Sequence, residues 1–200
     1  IGLGVLGYHS YLQSKLIEFD SLEAKQNNYK IFKTLKERSD LASKWCHDYL
    51  GMTSLREGFA NTTLLAIAPT KSSSYILGQV SMGIEPIKSN YFVKDLAKIK
   101  TVYKNPMLIE ELKKYDLDTP ETWESILKND GSVQHLDFPT KEVFKSFIEI
   151  TPKEIILQAA QRQQFIDQSQ SVNLTIHPSV SAKEINKLYI YAWQEGVKTL

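Results

Sequence analysis

Residues 62–74 have the sequence TTLLAIAPTKSSS, in which an apolar run changes abruptly into a series of hydroxyl-bearing residues. The run over residues 62–68 is compact, is rich in β-type apolar residues and ends at Pro69, which predicts a buried strand. Residues 70–74 then crowd the turn into a predicted short helix. Because α/β folds place ligands at the carboxyl ends of their strands, this segment points to both a fold class and a candidate site.

The turn that follows the predicted strand has the donors that a phosphate needs. The hydroxyls of Thr70, Ser72 and Ser73 lie beside backbone N–H groups at a helix N-terminus, where the helix dipole favours negative charge. Lys71 could add a positive charge, or its side chain could point to water. The alternative is a Ser-rich turn that caps its own helix. The residue pattern leaves both interpretations open.

The rest of the chain is largely helical in pattern. Helices are predicted over residues 21–50, from 105, from 119, over 151–165 and from 181, each with apolar residues at helical spacing or a capping signal at its start. Residues 168–176 (QSQSVNLTI) alternate as a half-buried strand should. Two strands associated with helices indicate an α/β fold, and their long helical connections favour parallel pairing.

The composition excludes several classes of protein. The 200 residues carry 24 Lys and Arg against 23 Asp and Glu, which argues against a strongly basic nucleic-acid binder and an acidic disordered tail. The apolar runs are too short or too charged to span a membrane. With one cysteine, Cys46, no internal disulfide can form, and without a secretory leader a cytoplasmic location is expected.

The uniform composition predicts a single domain or one piece of a larger one. The chain starts at Ile1 rather than Met and ends at Leu200 within an amphipathic helical pattern. We therefore predict a single partial domain over residues 1–200, truncated at both ends.

Two other features suggest chemistry but have simpler explanations. Residues 2–7 (GLGVLG) match the G-x-G-x-x-G pattern, yet the segment around Asp20 and Glu23 is polar and helical rather than a second strand. Close backbone packing at the glycines is the preferred explanation. The four histidines are scattered and Cys46 adjoins Trp45, so neither a metal site nor an activated thiolate is predicted.

Several motifs together resemble the large, catalytic subunit of class I ribonucleotide reductase. Residues 1–7 (IGLGVLG) resemble the family's RPIGIGVQG segment, and residues 65–86 resemble its IAPT.S.AQI…IEP signature. Residues 105–108 (NPML) match NP.L, residues 165–173 (FIDQSQSVN) are very close to FIDQSQSLN, and residues 193–199 (WQEGVKT) match W..GLKT. The motifs follow the family's order and extend over essentially the whole chain.

The resemblance implies the later portion of a ten-stranded α/β barrel, helix-rich and with mostly parallel strands. It also implies that Pro69, Thr70, Lys71, Ser72 and Ser73 bind the phosphates of a ribonucleoside diphosphate. Thr70, Ser72 and Ser73 would donate to phosphate oxygens, and Lys71 would contribute mainly a backbone contact. The FIDQSQSVN segment would be a structural strand with no chemistry assigned.

By the same resemblance, the radical chemistry belongs to residues outside this segment. The family's N-x-C-x-E loop, its two substrate-reducing cysteines, its tandem tyrosines and its C-terminal cysteine pair have no match, and Cys46 corresponds to none of them. The segment itself would bind no cofactor. The full enzyme would need a radical-generating di-metal small subunit and a thiol reductant, and its partners would be the substrate, the remainder of the large subunit and the small subunit.

Two functions therefore follow as hypotheses. In the first, the chain is a piece of a ribonucleoside-diphosphate reductase that supplies the phosphate loop and is inactive alone. In the second, it is a non-catalytic nucleotide- or phosphate-binding or structural module that retains the fold. A cobalamin-dependent reductase usually carries PTGT in this loop, whereas residues 69–72 are PTKS, which favours class I.

Overall fold

The computed structural model describes residues 1–96 and 99–200, which divide into two compact units. The first unit comprises Ile1–Val5, Lys25–Ala68 and Pro152–Leu200, and the second comprises Leu6–Ala24 and Pro69–Thr151. In chain order the helices are α1 (Tyr8–Ser14), α2 (Leu22–Leu50), α3 (Lys71–Ile76), α4 (Pro106–Lys113), α5 (Pro120–Lys128), α6 (Pro152–Gln163) and α7 (Ala182–Gln194). Short 3₁₀ segments occupy Lys141–Phe144 and Phe147–Glu149. The five long or capped helices predicted from the sequence are confirmed.

Local capping explains where three of these helices begin. The side chain of Asn105 accepts a hydrogen bond from the Met107 N–H at the start of α4, and a proline occupies the first turn. The side chain of Thr119 likewise accepts a hydrogen bond from the Thr122 N–H at the start of α5. Ser181 and Glu184 form a capping box at the start of α7. Each cap supplies acceptors for N–H groups that the helix leaves without a carbonyl.

The first unit contains extended segments that pair only at isolated positions. Leu3 forms a parallel bridge with Leu65, and Ile67 forms a parallel bridge with Gln170. The expected parallel direction is therefore confirmed at Ile67 and Gln170, but neither predicted strand, over 62–68 or 168–176, is a continuous ladder. Burial does alternate along the segment at 168–176, since Gln170 and Val172 are buried while their immediate neighbours are exposed.

The second unit contains a β-hairpin that the sequence analysis missed. Strand β1 (Tyr91–Leu96) pairs with β2 (Ile99–Lys104) in antiparallel register, from Tyr91 opposite Lys104 to Leu96 opposite Ile99. It is the one sheet of named strands in the described residues, so the expectation of mostly parallel strands is not met there. Two residues separate the strands, and a parallel connection needs a crossover of about a dozen or more.

A cluster of apolar side chains forms the core of the second unit. Helices α4 and α5 contribute Leu108, Leu112, Trp123 and Ile126, and the following segment contributes Val133, Phe138, Val143 and Phe144. The indole N–H of Trp123 donates to Asp118 at 2.7 Å, so its one polar group is satisfied.

In the described part of the chain, no helix has the length and apolar character needed to cross a membrane.

Candidate functional site

The five residues expected to bind phosphate lie consecutively at the start of α3. Pro69 and Thr70 precede the helix, and Lys71, Ser72 and Ser73 form its first turn. Thr70 is half-buried, and the other four residues are exposed. The first N–H groups of a helix have no carbonyl one turn earlier to accept them. The backbone of the first turn and the neighbouring hydroxyls therefore present donors to solvent on one short segment.

Thr70 anchors this loop instead of capping the helix. Its backbone is left-handed, with φ 43° and ψ 37°, and its side chain makes no capping hydrogen bond. The Thr70 hydroxyl oxygen accepts the N–H of Gly83 at 2.8 Å, and the Gly83 carbonyl accepts the N–H of Tyr8 at 3.2 Å. The interpretation of a turn that caps its own helix is therefore not realised at Thr70.

Buried polar contacts continue from this anchor along α1. Ser10 and Ser81 exchange two hydrogen bonds, in which each backbone N–H donates to the other hydroxyl, at 3.1 and 2.8 Å. The next contact is made by His9, whose Nδ1 accepts the Ile87 N–H at 3.0 Å. Complete burial lowers the pKa of His9 to about 3, against the raising effects of a backbone hydrogen bond at Val143 and of Asp20. His9 is thus a neutral, packed histidine.

An amide cluster, Gln13, Asn90 and Asn105, lies buried in the same unit. The Asn105 side chain donates to Asn90 Oδ1 at 2.8 Å and to Gln13 Oε1 at 3.1 Å. The Asn90 amide donates to the carbonyls of Gly131 and Phe144 at 3.0 and 2.8 Å. The sequence predicted Asn105 only as a helix cap, and its second role depends on residues distant in the chain.

Sequence reasoning also missed Asp167, in the first unit. One carboxylate oxygen accepts the N–H groups of Leu64 and Leu65 at 2.8 and 3.0 Å, and the other pairs with Lys36 at 2.9 Å. Burial would raise the pKa of Asp167, but the two backbone hydrogen bonds and the Lys36 ammonium outweigh it and lower the pKa. Asp167 thereby fixes the extended segment that leads toward Pro69. The available signal was an acidic residue inside the FIDQSQSVN motif.

The glycines of residues 2–7 have the packing role that was preferred for them. A Cβ atom added at Gly4 would lie 2.5 Å from the carbonyl oxygen of Ala66, a distance that backbone does not tolerate. The N–H of Ala66 in turn donates to the carbonyl of Leu3 at 3.0 Å. Residues 20–24 enter α2 rather than a second strand, so the dinucleotide fingerprint lacks its acidic strand end.

Neither the four histidines nor Cys46 was predicted to carry metal or thiol chemistry. Within residues 1–96 and 99–200, no group of three or more His, Cys, Asp or Glu side chains is arranged to hold a metal ion. Cys46 lies half-buried on α2 as a free thiol.

Comparisons with known proteins agree on one family. The model of the ribonucleotide reductase barrel domain matches residues 36–200. The large subunits of ribonucleoside-diphosphate reductase from invertebrate iridescent viruses 6 and 3 are each 37% identical to the chain over its whole length, which spans 22% and 33% of those proteins.

A solved structure gives the same result in three dimensions. The class Id ribonucleotide reductase alpha subunit of Actinobacillus ureae superposes with a TM-score of 0.91 at 50% identity, covering all of this chain and 38% of its own. The chain therefore spans well under half the length of these relatives. The match over residues 36–200 shows that this chain belongs to the ribonucleotide reductase barrel-domain family.

Proposed function

We propose that the chain is part of the large subunit of a class I ribonucleoside-diphosphate reductase and contributes the loop that binds the substrate's phosphates. The observation that carries this proposal is the run of backbone N–H and hydroxyl donors at Thr70, Lys71, Ser72 and Ser73, which follows Pro69 within a chain of the reductase barrel-domain family. The names of the relatives reported above, including a class Id alpha subunit, support the choice of reaction.

In this proposal the loop binds a ribonucleoside diphosphate through several short contacts. The N–H groups of residues 71–73 and the hydroxyls of Thr70, Ser72 and Ser73 donate to phosphate oxygens. The Thr70 oxygen already accepts the Gly83 N–H, which leaves its own hydrogen for the ligand. Lys71 contributes mainly its backbone. Phosphate binding positions the ribose for reduction to a deoxyribonucleotide by a radical mechanism.

The remaining machinery belongs to other parts of the enzyme. Residues 1–200 form one partial domain of a ten-stranded, mostly parallel α/β barrel, and the parallel bridges at Leu65 and Ile67 support that arrangement. The rest of the large subunit supplies the radical cysteine. A small subunit with a di-metal centre supplies the radical, and a thiol reductant restores the enzyme. We expect a cytoplasmic enzyme whose isolated segment is inactive.

Titration of the ¹⁵N-labelled chain with a nucleoside diphosphate tests the binding site. We expect amide shifts concentrated at residues 70–73, and at least a tenfold weaker affinity in the double variant Ser72→Ala, Ser73→Ala. Ser179→Ala is the matched control, since Ser179 is also exposed but lies far along the sequence. A titration that leaves residues 70–73 unperturbed would contradict the assignment of the loop.

An activity assay tests where the chemistry lies. We expect the isolated chain to produce no deoxyribonucleotide from any ribonucleoside diphosphate, even with a dithiol present. Measurable reduction by the chain alone would contradict the placement of the radical chemistry outside it.

A further inference from the structure

A cavity of about 270 Å³ lies within the second unit. Ser74 and Tyr75 of α3 line it, together with residues 80–82 and 85–89. Phe92 and Tyr103 of the hairpin complete the lining. The cavity shares no residue with the phosphate loop at 69–73.

The walls of this cavity are aromatic and aliphatic. The rings of Phe92 and Tyr103 stack with centroids 4.7 Å apart, and Tyr75 meets the Tyr103 ring edge-on at 6.5 Å. Val80 and Ile87 add branched aliphatic surface. Ring faces and edges of this kind favour a further aromatic group in stacked or edge-to-face contact.

Four hydroxyl groups in the lining already have backbone partners. Ser74 donates to the Lys71 carbonyl at 2.8 Å, Ser89 to the Tyr91 carbonyl at 2.8 Å and Tyr103 to the Gln79 carbonyl at 3.2 Å, while Ser81 accepts the Ser10 N–H at 3.1 Å. Burial raises the pKa of the Tyr103 phenol, which keeps it neutral. The hydroxyl hydrogens of Ser74, Ser89 and Tyr103 are therefore committed to backbone carbonyls, and among these four groups only Ser81 keeps a hydrogen to donate to a ligand. A largely apolar lining with so few available donors favours an apolar ligand over a polar one.

The charge of the lining and the size of the cavity further restrict the class of ligand. Glu85 and Lys88 are the charged residues of the lining, and their opposite signs favour a ligand without net charge. An apolar cavity of about 150 Å³ is enough to bind benzene. We infer that the cavity of about 270 Å³ between α3 and the hairpin is a binding site for an uncharged aromatic molecule of one or two rings.

Methionine methyl resonances provide a direct test in the full chain. There are three methionines, of which Met82 lines the cavity, Met107 packs against the apolar core and Met52 is largely exposed. When ¹³C-methyl-labelled protein is titrated with indole, the methyl resonance of Met82 should shift until binding saturates. The methyl resonances of Met52 and Met107 should not shift. Absence of a Met82 shift up to the solubility of indole would overturn the inference.

The charge preference is tested on the unaltered chain. Indole-3-acetate has the same rings with one negative charge, so we expect at least tenfold weaker binding than for indole. Equal affinities would overturn the assignment of an uncharged ligand.

A variant that fills the cavity tests whether indole binds there. Val80→Phe should weaken indole binding at least tenfold, and Val102→Phe, at an exposed position of β2, should leave it unchanged. An unchanged Met107 resonance reports that the core of Val80→Phe remains folded. Undiminished binding by that folded variant would overturn the inference. None of these outcomes depends on the diphosphate titration, because the lining and the loop have no residue in common.

Discussion

Each unit of this protein contains a cluster of polar side chains that holds irregular backbone in place. One cluster is neutral and the other is charged. The amide cluster (Gln13, Asn90, Asn105) is neutral and no more than 1% exposed. The charged cluster comprises four side chains that are each 20 to 34% exposed, namely Lys36, Asp40, Arg56 and Asp167. The neutral groups tolerate complete burial, while the charged groups keep contact with water.

The physical reason is the cost of removing each kind of group from water. An amide loses little if each donor and acceptor finds a partner, as Asn105 does with Gln13 and Asn90. A buried ion pair must recover a desolvation cost of several kcal/mol per ion. Partial exposure of Lys36 and Asp167 lowers that cost, so the two clusters should differ in how they respond to mutation, acid and salt.

The largest expected effect comes from breaking the amide cluster. Asn105→Ala leaves the acceptors of Asn90 and Gln13 and the N–H of Met107 without their partner. Since each unsatisfied buried group costs about 1–3 kcal/mol, we expect a loss of about 3 kcal/mol in the free energy of unfolding. Urea unfolding followed by fluorescence of the nearby Trp123 core measures it.

Asn129→Ala is the matched control, because Asn129 is exposed and its side chain donates only to the Ser125 carbonyl. It should change stability by less than about 0.5 kcal/mol. Equal costs for the two variants would mean that burial of the cluster adds nothing to stability.

A smaller loss is expected in the charged cluster from Asp167→Asn. The substitution retains the shape of the side chain but weakens acceptance from Leu64 and Leu65 and removes the ion pair with Lys36. Hydrogen bonds to a charged group are worth about 1.5–3 kcal/mol, so a loss of about 2 kcal/mol is expected. Hydrogen exchange at the Leu64 and Leu65 amides should accelerate, whereas Asp48→Asn, at an exposed position of α2, should leave it unchanged.

The sequence predicted what depends on neighbours in the chain and missed what depends on distant partners. The helix starts at Asn105 and Thr119 were predicted because a cap acts within three residues along the chain. The second role of Asn105 requires Gln13, and the role of Asp167 requires Leu64, at separations of 92 and 103 residues. The hairpin is different, since its alternating residues and short connection were visible in the sequence and were overlooked.

The candidate site divides in the same way. Its five predicted residues form one contiguous run, so sequence pattern and family resemblance could propose residues 69–73 without any distant contact, and their binding of phosphate stays a prediction. Gly83, which donates to Thr70 from 13 residues away, immediately precedes the IEP residues at 84–86, and nothing in the sequence placed it beside Thr70. No periodic pattern encodes such a contact, because it depends on how the chain returns to the loop after α3.

Stability should depend on pH differently in the two units, because His9 titrates in the unit of the amide cluster and Asp167 titrates in the charged cluster. The pKa of His9 is lowered to about 3, while an unfolded histidine has a pKa of about 6.5. Between these values only the unfolded chain binds the proton, so stability falls by about 1.4 kcal/mol for each pH unit below 6.5. The lowered pKa of Asp167 acts differently, since its contribution persists above the unfolded value of about 3.9 and is lost only below it.

The measurement is the free energy of unfolding between pH 7 and 4.5, in the original chain and in His9→Asn. The asparagine oxygen occupies the position of Nδ1 and can accept the Ile87 N–H, but it does not titrate. We expect the acid slope to flatten in the variant. The same slope in both proteins would assign the acid sensitivity to other groups.

Salt should produce the smallest effect and should distinguish two kinds of contact within the charged cluster. Asp40 interacts only with side-chain cations in the described contacts, Lys36 at 3.4 Å and Arg56 at 2.7 Å, and such half-exposed pairs contribute about 0–1 kcal/mol. Asp40→Asn should therefore cost about 0.5 kcal/mol at low salt and almost nothing in 1 M NaCl, where the screening length is about 3 Å.

Asp167→Asn should keep most of its cost at both salt concentrations, because Asp167 also accepts two backbone N–H groups at 2.8 and 3.0 Å. Urea unfolding of both variants at 0.05 and 1 M NaCl measures the difference. If salt removed the cost of both substitutions equally, the ion pair with Lys36, rather than the backbone hydrogen bonds, would account for the stabilising role of Asp167. A persistent cost for Asp167→Asn alone would identify this carboxylate as a backbone clamp, closer in its action to the amide cluster than to its charged neighbours.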